Sequence, residues 1–321
     1  MRVCIVGAGA IGGWIAGMLA NAGAEVSLLA RGETLAALQA FGLRVRRKGA
    51  QSAYRLRADG DAAKLEKPDV VIVAVKGQGI PALAPAIATL LAPDTIVVPA
   101  VNGIPWWFFQ VPNVPLTGLS LAGVDPQGSI TRVVSPQRVV GCVVHASAWT
   151  PEPGLVEVQG EDRLILGEPD ASDTPRCRAL AAAFGRSTAN IVVSDNIRRD
   201  IWTKLWGNMT MNPLSVLTGA TTARMLSDPD TRGLVRAMML EMQRLGTAIG
   251  IPIAMTPDER MDVTRRLGDI KTSMLRDFEA GREIEIGPIL GALAEIADRV
   301  GEPAPYLHAV LGLLRLRAGS P

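Results

Sequence analysis

The sequence predicts an α/β amino-terminal half, a doubly wound parallel sheet, followed by an all-α carboxy-terminal half. Three observations carry this. Strand-length apolar runs alternate with helix-length segments up to about residue 195, the pattern of consecutive βα units. Beyond Ser194-Asp195 the apolar period is helical to the end of the chain. A chain of 321 residues also exceeds what one hydrophobic core usually holds, so two domains are expected, 1–195 and 196–321.

The elements follow in order. Val3 to Val6 reads as a short buried strand, then a glycine turn and a helix from about Ile11 to Ala22. Glu25 to Leu29 is a second strand, and Leu43 to Arg46 and Tyr54 to Arg57 alternate like shorter, more exposed ones. Pro68-Asp69 introduces Val70 to Val75, a continuous apolar run typical of a strand covered on both faces. A helix over Ile80 to Leu91 and a strand over Thr95 to Val101 complete the alternation. From Ile104 to Gln137 the pattern blurs around Trp106-Trp107-Phe108-Phe109. Strands are expected again at Val139 to Val144, Leu155 to Val158 and Arg163 to Leu166, then a helix at Pro175 to Phe184 and a strand at Ile191 to Val193. Ser194, Asp195 or Asn196 is the expected cap of a helix from Ile197 to Leu217. Further helices are expected at Pro229 to Ile249, Thr256 to Leu267, Lys271 to Ala280, Pro288 to Val300 and Pro303 to Leu316.

Composition narrows the class. A net charge of +2 and an aromatic content of 4% give no footing for nucleic acid or a membrane surface. Three scattered cysteines form neither a disulfide framework nor a zinc site and suit a reducing, cytoplasmic setting. Two distant histidines make no metal cluster. Arg2 and the apolar residues after it superficially resemble a secretory leader, but five glycines from Gly7 to Gly17 weaken that helix. The apolar stretch from Ala82 to Phe109 is broken by prolines and is no membrane span.

Gly7-Ala8-Gly9-Ala10-Ile11-Gly12 sits between the first strand and the first helix, the context that marks a Rossmann-type dinucleotide turn. Gly7 permits the turn, Gly9 lets a pyrophosphate approach, and Gly12 lets helix and strand pack closely. About 20 residues on, an NAD-preferring domain carries an acid for the ribose 2′-hydroxyl. This chain has Leu29-Ala30-Arg31 there, and a guanidinium suits the 2′-phosphate of NADP. Glu33, two residues on, could instead meet a ribose hydroxyl. Gly7, Arg31, Lys76 and Asn102 all fall at carboxyl ends of expected parallel strands, where open α/β sheets bind ligands. Singly, Lys76 reads equally as a solvated lysine and Asn102 as a turn residue before Gly103.

In DIWTKLWGNMTMNPL, residues 200–214, Lys204, Asn208 and Asn212 recur at i, i+4 and i+8. Each is displaced by about 40° from the last, which makes one polar stripe. Ile201, Trp202, Leu205 and Met209 crowd its flanks, unlike an ordinary solvent face.

With the glycine turn, Arg31, Val75-Lys76 and Asn102-Gly103, the run Trp202-x-Lys204-Leu205-x-x-Asn208-x-x-x-Asn212-Pro213-Leu214 resembles the ketopantoate reductases. Thr272-Ser273-Met274-Leu275 and Arg282-x-x-Glu285-Ile286 are similar to that family's later signatures. The resemblance implies reduction of a 2-oxo acid by NADPH in a cleft between a Rossmann domain and a helical domain, the ketopantoate-to-pantoate step of pantothenate synthesis. It implies Lys204 as general acid, Asn208 and Asn212 as holders of substrate polar groups, and Ser273 as partner of the carboxylate. Asn102 would bridge cofactor and substrate, and Glu285 would orient cofactor or substrate and bias the lysine's charge. Ser273 reads equally as a plain helix hydroxyl, Glu285 as a cap, and His145 as a packed strand histidine. Gly287, Leu290 and Ile270 stand where many relatives carry Asp, Asn and Asn, so a different 2-oxo acid is a second reading. A third is a protein that senses NADPH without chemistry. The apolar helical half is compatible with a homodimer.

Overall fold

The computed structural model describes residues 1–185, 187 and 189–319. The chain forms two compact units, residues 1–101 with 127–200, and residues 102–126 with 201–321.

The first unit begins with β1 (Arg2–Val6), α1 (Ala10–Asn21), β2 (Glu25–Leu29), α2 (Gly32–Phe41), β3 (Leu43–Arg47), β4 (Ala50–Tyr54) and β5 (Arg57–Asp59). It continues with β6 (Val70–Val73), α3 (Ile80–Leu90), β7 (Ile96–Pro99), α4 (Ser129–Val133), β8 (Gly141–Glu152), β9 (Leu155–Gly167), α5 (Pro175–Ala183) and β10 (Asn190–Val193). Five strands form a wholly parallel sheet in the order β5-β2-β1-β6-β7, so the carboxyl ends of β1, β2, β6 and β7 share one edge. All four residues of β6 are buried, as a strand covered on both faces must be.

The remaining strands form a second, mixed sheet, β10-β9-β3-β4 with β8 antiparallel on β9. Helix α1 packs against it through its own glycines. A Cβ on Gly13 would stand 2.6 Å from Val156 Cγ2 of β9, and one on Gly17 would stand 2.8 Å from Val45 Cγ2 of β3. These glycines, poor for an isolated helix, let α1 be buried from Gly12 through Leu19.

Three local expectations are corrected. The strand expected at Tyr54 to Arg57 is two elements. The Lys48-Gly49 turn, with φ of 48° and 80°, folds β4 back on β3 and ends it at Tyr54, while Arg57–Asp59 joins the edge of the parallel sheet. The two strands expected within residues 155–166 are the single β9, because the polar Gln159-Gly160 step is a bend bridged by β8 rather than a turn. Helix α2, absent from the expectation, also forms.

The second unit is helical apart from residues 102–126. The division falls within α6 (Ile197–Thr218), and α7 (Thr222–Ser227), α8 (Pro229–Ala248), α9 (Pro257–Arg266) and α10 (Ser273–Glu279) follow. A π-helical stretch, Gly287–Gly291, runs directly into α11 (Ala292–Val300), and α12 (Pro305–Ala318) ends the unit. Helix starts are capped as the side chains dictate. Asn196 accepts from the Arg199 amide, Asp228 from Thr231, and Thr256 with Glu259 forms a reciprocal capping box. Residues 102–126 supply much of this unit's core. Trp107, Phe108 and Phe109 are fully buried, and Phe108 stacks on Trp202 of α6 at 6.2 Å and meets Phe109 edge-on at 5.0 Å. Among the described residues no helix is long and apolar enough to cross a membrane.

Candidate active site

The nucleotide features belong to the first unit. Gly7 has φ of +97°, and a Cβ there would stand 2.5 Å from Val75 Cγ1, so an L side chain is excluded twice over. A Cβ on Gly12 would stand 1.9 Å from the Gly7 carbonyl oxygen, so this glycine lets α1 start directly on the turn. Gly9 caps α1 without a side-chain hydrogen bond, and nothing lies within 4 Å of where its Cβ would be. The first helical bond runs from the Gly13 amide to the Gly9 carbonyl, so the amides of Ala10, Ile11 and Gly12 have no acceptor within the helix. Open backbone, unmatched amides and the positive end of a twelve-residue helix fit a pyrophosphate.

Arg31 stands two residues past β2 as the cap residue of α2, exposed, its carbonyl accepting from the Leu35 amide at 3.3 Å while its guanidinium has no hydrogen bond or ion pair among the described residues. Glu33 is exposed in the first turn of the same helix. Lys76, three residues past β6, is half-buried and heads a short 3₁₀ turn, Gly77–Gly79. Gln78 in that turn was not anticipated. Its Oε1 is buried without a hydrogen-bond partner among the described residues, a vacancy a bound donor would fill. Its only trace in the sequence is its position two residues beyond Lys76. His145 is exposed on β8.

The chemical features belong to the second unit, and three of them are joined. Lys204 Nζ donates to Asn102 Oδ1 at 2.8 Å, and Asn102 Nδ2 donates to Glu285 Oε2 at 3.2 Å. The amide orientation is dictated by its neighbours, because an ammonium only donates and an ionised carboxylate only accepts. Asn102 thus links the Lys204 amine to the Glu285 carboxylate through its side-chain amide.

The backbone explains how positions 183 residues apart meet. Gly103, with φ of +79°, lies so close to the π-helical stretch that a Cβ on it would stand 2.3 Å from the Pro288 carbonyl oxygen. The Ile104 amide donates to that same oxygen at 2.9 Å. Asn102 immediately precedes this clasp and Glu285 lies just before the π-helix. Such π-helical turns are rare and are frequently found at functional sites.

Asn208 is half-buried and Asn212 is 6% exposed, one and two turns along α6 from Lys204. At that end Ser215 hydrogen-bonds Thr272 at 2.6 Å, and Thr272 caps α10 through the Leu275 amide. Ser273, the next residue, is exposed at the first position of α10. The second unit therefore joins Lys204, Asn102 and Glu285 through hydrogen bonds, while Thr272, the residue before Ser273, bonds Ser215 near the Asn212 end of α6.

Comparison with known proteins gives a consistent picture. Residues 3–106 match the family model described as ketopantoate reductase PanE/ApbA, and residues 196–318 match its carboxy-terminal counterpart. The chain is 41% identical to a 2-dehydropantoate 2-reductase of Mesorhizobium japonicum, over 98% of this chain and 97% of that protein. A crystal structure from Ralstonia solanacearum, provisionally named a ketopantoate reductase, superposes with a TM-score of 0.95 at 47% identity, covering 99% of this chain and 98% of that one. D-mandelate dehydrogenase solved with NADH and anilino(oxo)acetate superposes with a TM-score of 0.85 over 99% of each chain, and at 22% identity shows the fold alone.

Proposed function

The chain belongs to the ketopantoate reductase family, oxidoreductases that act on a CH–OH group, and we propose that it reduces ketopantoate (2-dehydropantoate) to pantoate with NADPH, Lys204 being the proton donor. The observation that carries this reading is the hydrogen-bonded series Lys204–Asn102–Glu285. In the division of labour we propose, residues 1–195 bind the nucleotide and residues 196–321 supply the acid and the substrate contacts, with Asn102 of the 102–126 segment joining the latter.

Bound NADPH supplies the hydride. As a ketone carbon accepts it, negative charge grows on the carbonyl oxygen. A positioned ammonium both stabilises that charge and hands over a proton. Lys204 has the two attributes this needs, an amine held by a directed hydrogen bond and a carboxylate one amide away. Asn208 and Asn212 offer amides along the same face for the substrate's hydroxyl and carboxylate oxygens, and Ser273 a hydroxyl. A sensor without chemistry has no use for such a donor.

Arg31 supports NADPH over NADH, since its guanidinium is unengaged at the position where an NAD-preferring domain places an acid. Arg31→Ala is expected to weaken NADPH binding by roughly 1.5–3 kcal/mol, the usual worth of a hydrogen bond to a charged group, and to leave NADH little changed. Titration with both coenzymes checks this, and equal losses would reject a 2′-phosphate contact. Another 2-oxo acid is the second reading, favoured by Leu290, which is fully buried where many relatives carry Asn. NADPH oxidation with ketopantoate, pyruvate, 2-oxoisovalerate and bulkier analogues tests the proposal. The highest kcat/KM is expected for ketopantoate, and no turnover with any of them would overturn the reading.

A further inference from the structure

Arg260, on α9, is a half-buried cation without an acidic partner among the described residues. Its Nη1 donates to Thr264 Oγ1 at 3.2 Å, a neutral hydroxyl, and burial alone pushes its pKa below the usual arginine value. Other charges on α9 are placed differently. Asp258 pairs with Arg236, and Asp262 pairs with Arg265, all of them well exposed. Taking a guanidinium out of water without an anion is costly, and chains normally match such a charge with a carboxylate.

The place it occupies is specific. A Cβ on Gly207 of α6 would stand 1.9 Å from Arg260 Nη2 and 2.7 Å from its Cζ, so the guanidinium rests on bare backbone that any side chain would deny it. Gly207 is three residues past Lys204, about 60° around the helix and about 4.5 Å along it. The guanidinium therefore borders the Lys204–Asn208–Asn212 stripe on the flank opposite Leu205. A second cation brought against the helix face that carries Lys204 is a poor neighbour unless an anion joins them.

We propose that Arg260 is a further hold on the substrate's carboxylate, in addition to the α6 amides and Ser273, with Gly207 as the gap that admits it, and that this pair makes the enzyme favour 2-oxo acids over uncharged ketones. This rests on the reductase reading. In a 2-oxo acid the carboxylate is bonded to the ketone carbon, so an amine on the α6 stripe and a guanidinium on its border suit its two functional groups. The planar fork of arginine takes both carboxylate oxygens at once, which a lysine at the same place could not.

The test compares the wild type with Arg260→Leu, Arg260→Lys and Gly207→Ala. Probes are ketopantoate, its uncharged lactone, and oxamate, a 2-oxo acid analogue that is not reduced and whose binding is read by calorimetry. Arg260→Leu is expected to raise the KM for ketopantoate and the Kd for oxamate by roughly 10- to 100-fold. Lactone kinetics should stay unchanged, and Tm unchanged or higher because a half-buried charge without an acidic partner is gone. Arg260→Lys should recover little, and Gly207→Ala should reproduce the loss in the wild type yet add nothing to Arg260→Leu. Equal losses for ketopantoate and lactone, a lowered Tm, or an unchanged oxamate Kd would each overturn the proposal. If the wild type reduces no 2-oxo acid but binds oxamate through Arg260, the reductase reading falls and the subsite stands. Oxamate bound by neither protein removes the subsite.

Discussion

Lys204→Ala is expected to lower kcat by about 10²–10⁴, the usual contribution of a positioned general acid, with the Kd for NADPH nearly unchanged. The asymmetry follows from what the side chain touches. Lys204 donates to Asn102, within the helical unit, whereas the glycine turn belongs to the first unit. Losing a half-buried amine from α6 also leaves the packing of Trp202, Trp206 and Met209 intact. A fall in kcat accompanied by a collapse in Tm would mean that the lysine holds the fold, and near-normal turnover would reject its role as acid. Stopped-flow measurement of NADPH oxidation separates the chemical step from binding.

Asn102→Ala is expected to cost about 10²–10³ in kcat/KM, because two hydrogen bonds to charged groups are lost together and the lysine is cut off from its carboxylate. Coupling gives the sharper form of this expectation. If Glu285 acts on Lys204 through the Asn102 amide, Glu285→Gln should impair the wild type clearly and the Asn102→Ala variant hardly at all. Additive losses would show that Glu285 works by another route.

What was legible in the sequence was what is local. The buried run at Val70–Val73, the glycine turn into α1, and the stripe Lys204–Asn208–Asn212 announce themselves through period and spacing within one element. The second sheet did not, because β3 pairs with β9 across a long intervening chain and its polar bend at Gln159-Gly160 mimics a turn. Nor did the contact of Asn102 with Glu285 follow from spacing. It depends on a π-helical stretch whose Gly-Pro-Ile-Leu-Gly sequence reads as an ordinary helix start. Trp106-Trp107-Phe108-Phe109 was visible as a cluster, but only packing on Trp202 makes it core. Gln78 and Arg260 were silent for a related reason. An orphaned buried oxygen or an unmatched buried charge exists only once the chain is folded around it.

Restoration of the missing acid tests the central claim most directly. With Lys204→Ala saturated in NADPH and ketopantoate, added small primary amines should raise the rate of hydride transfer in proportion to their ammonium concentration. Amines of different pKa should follow a Brønsted relation. Rescue of this kind, absent from the wild type, is the predicted result. A variant that turns over at nearly the wild-type rate without any amine would contradict the account.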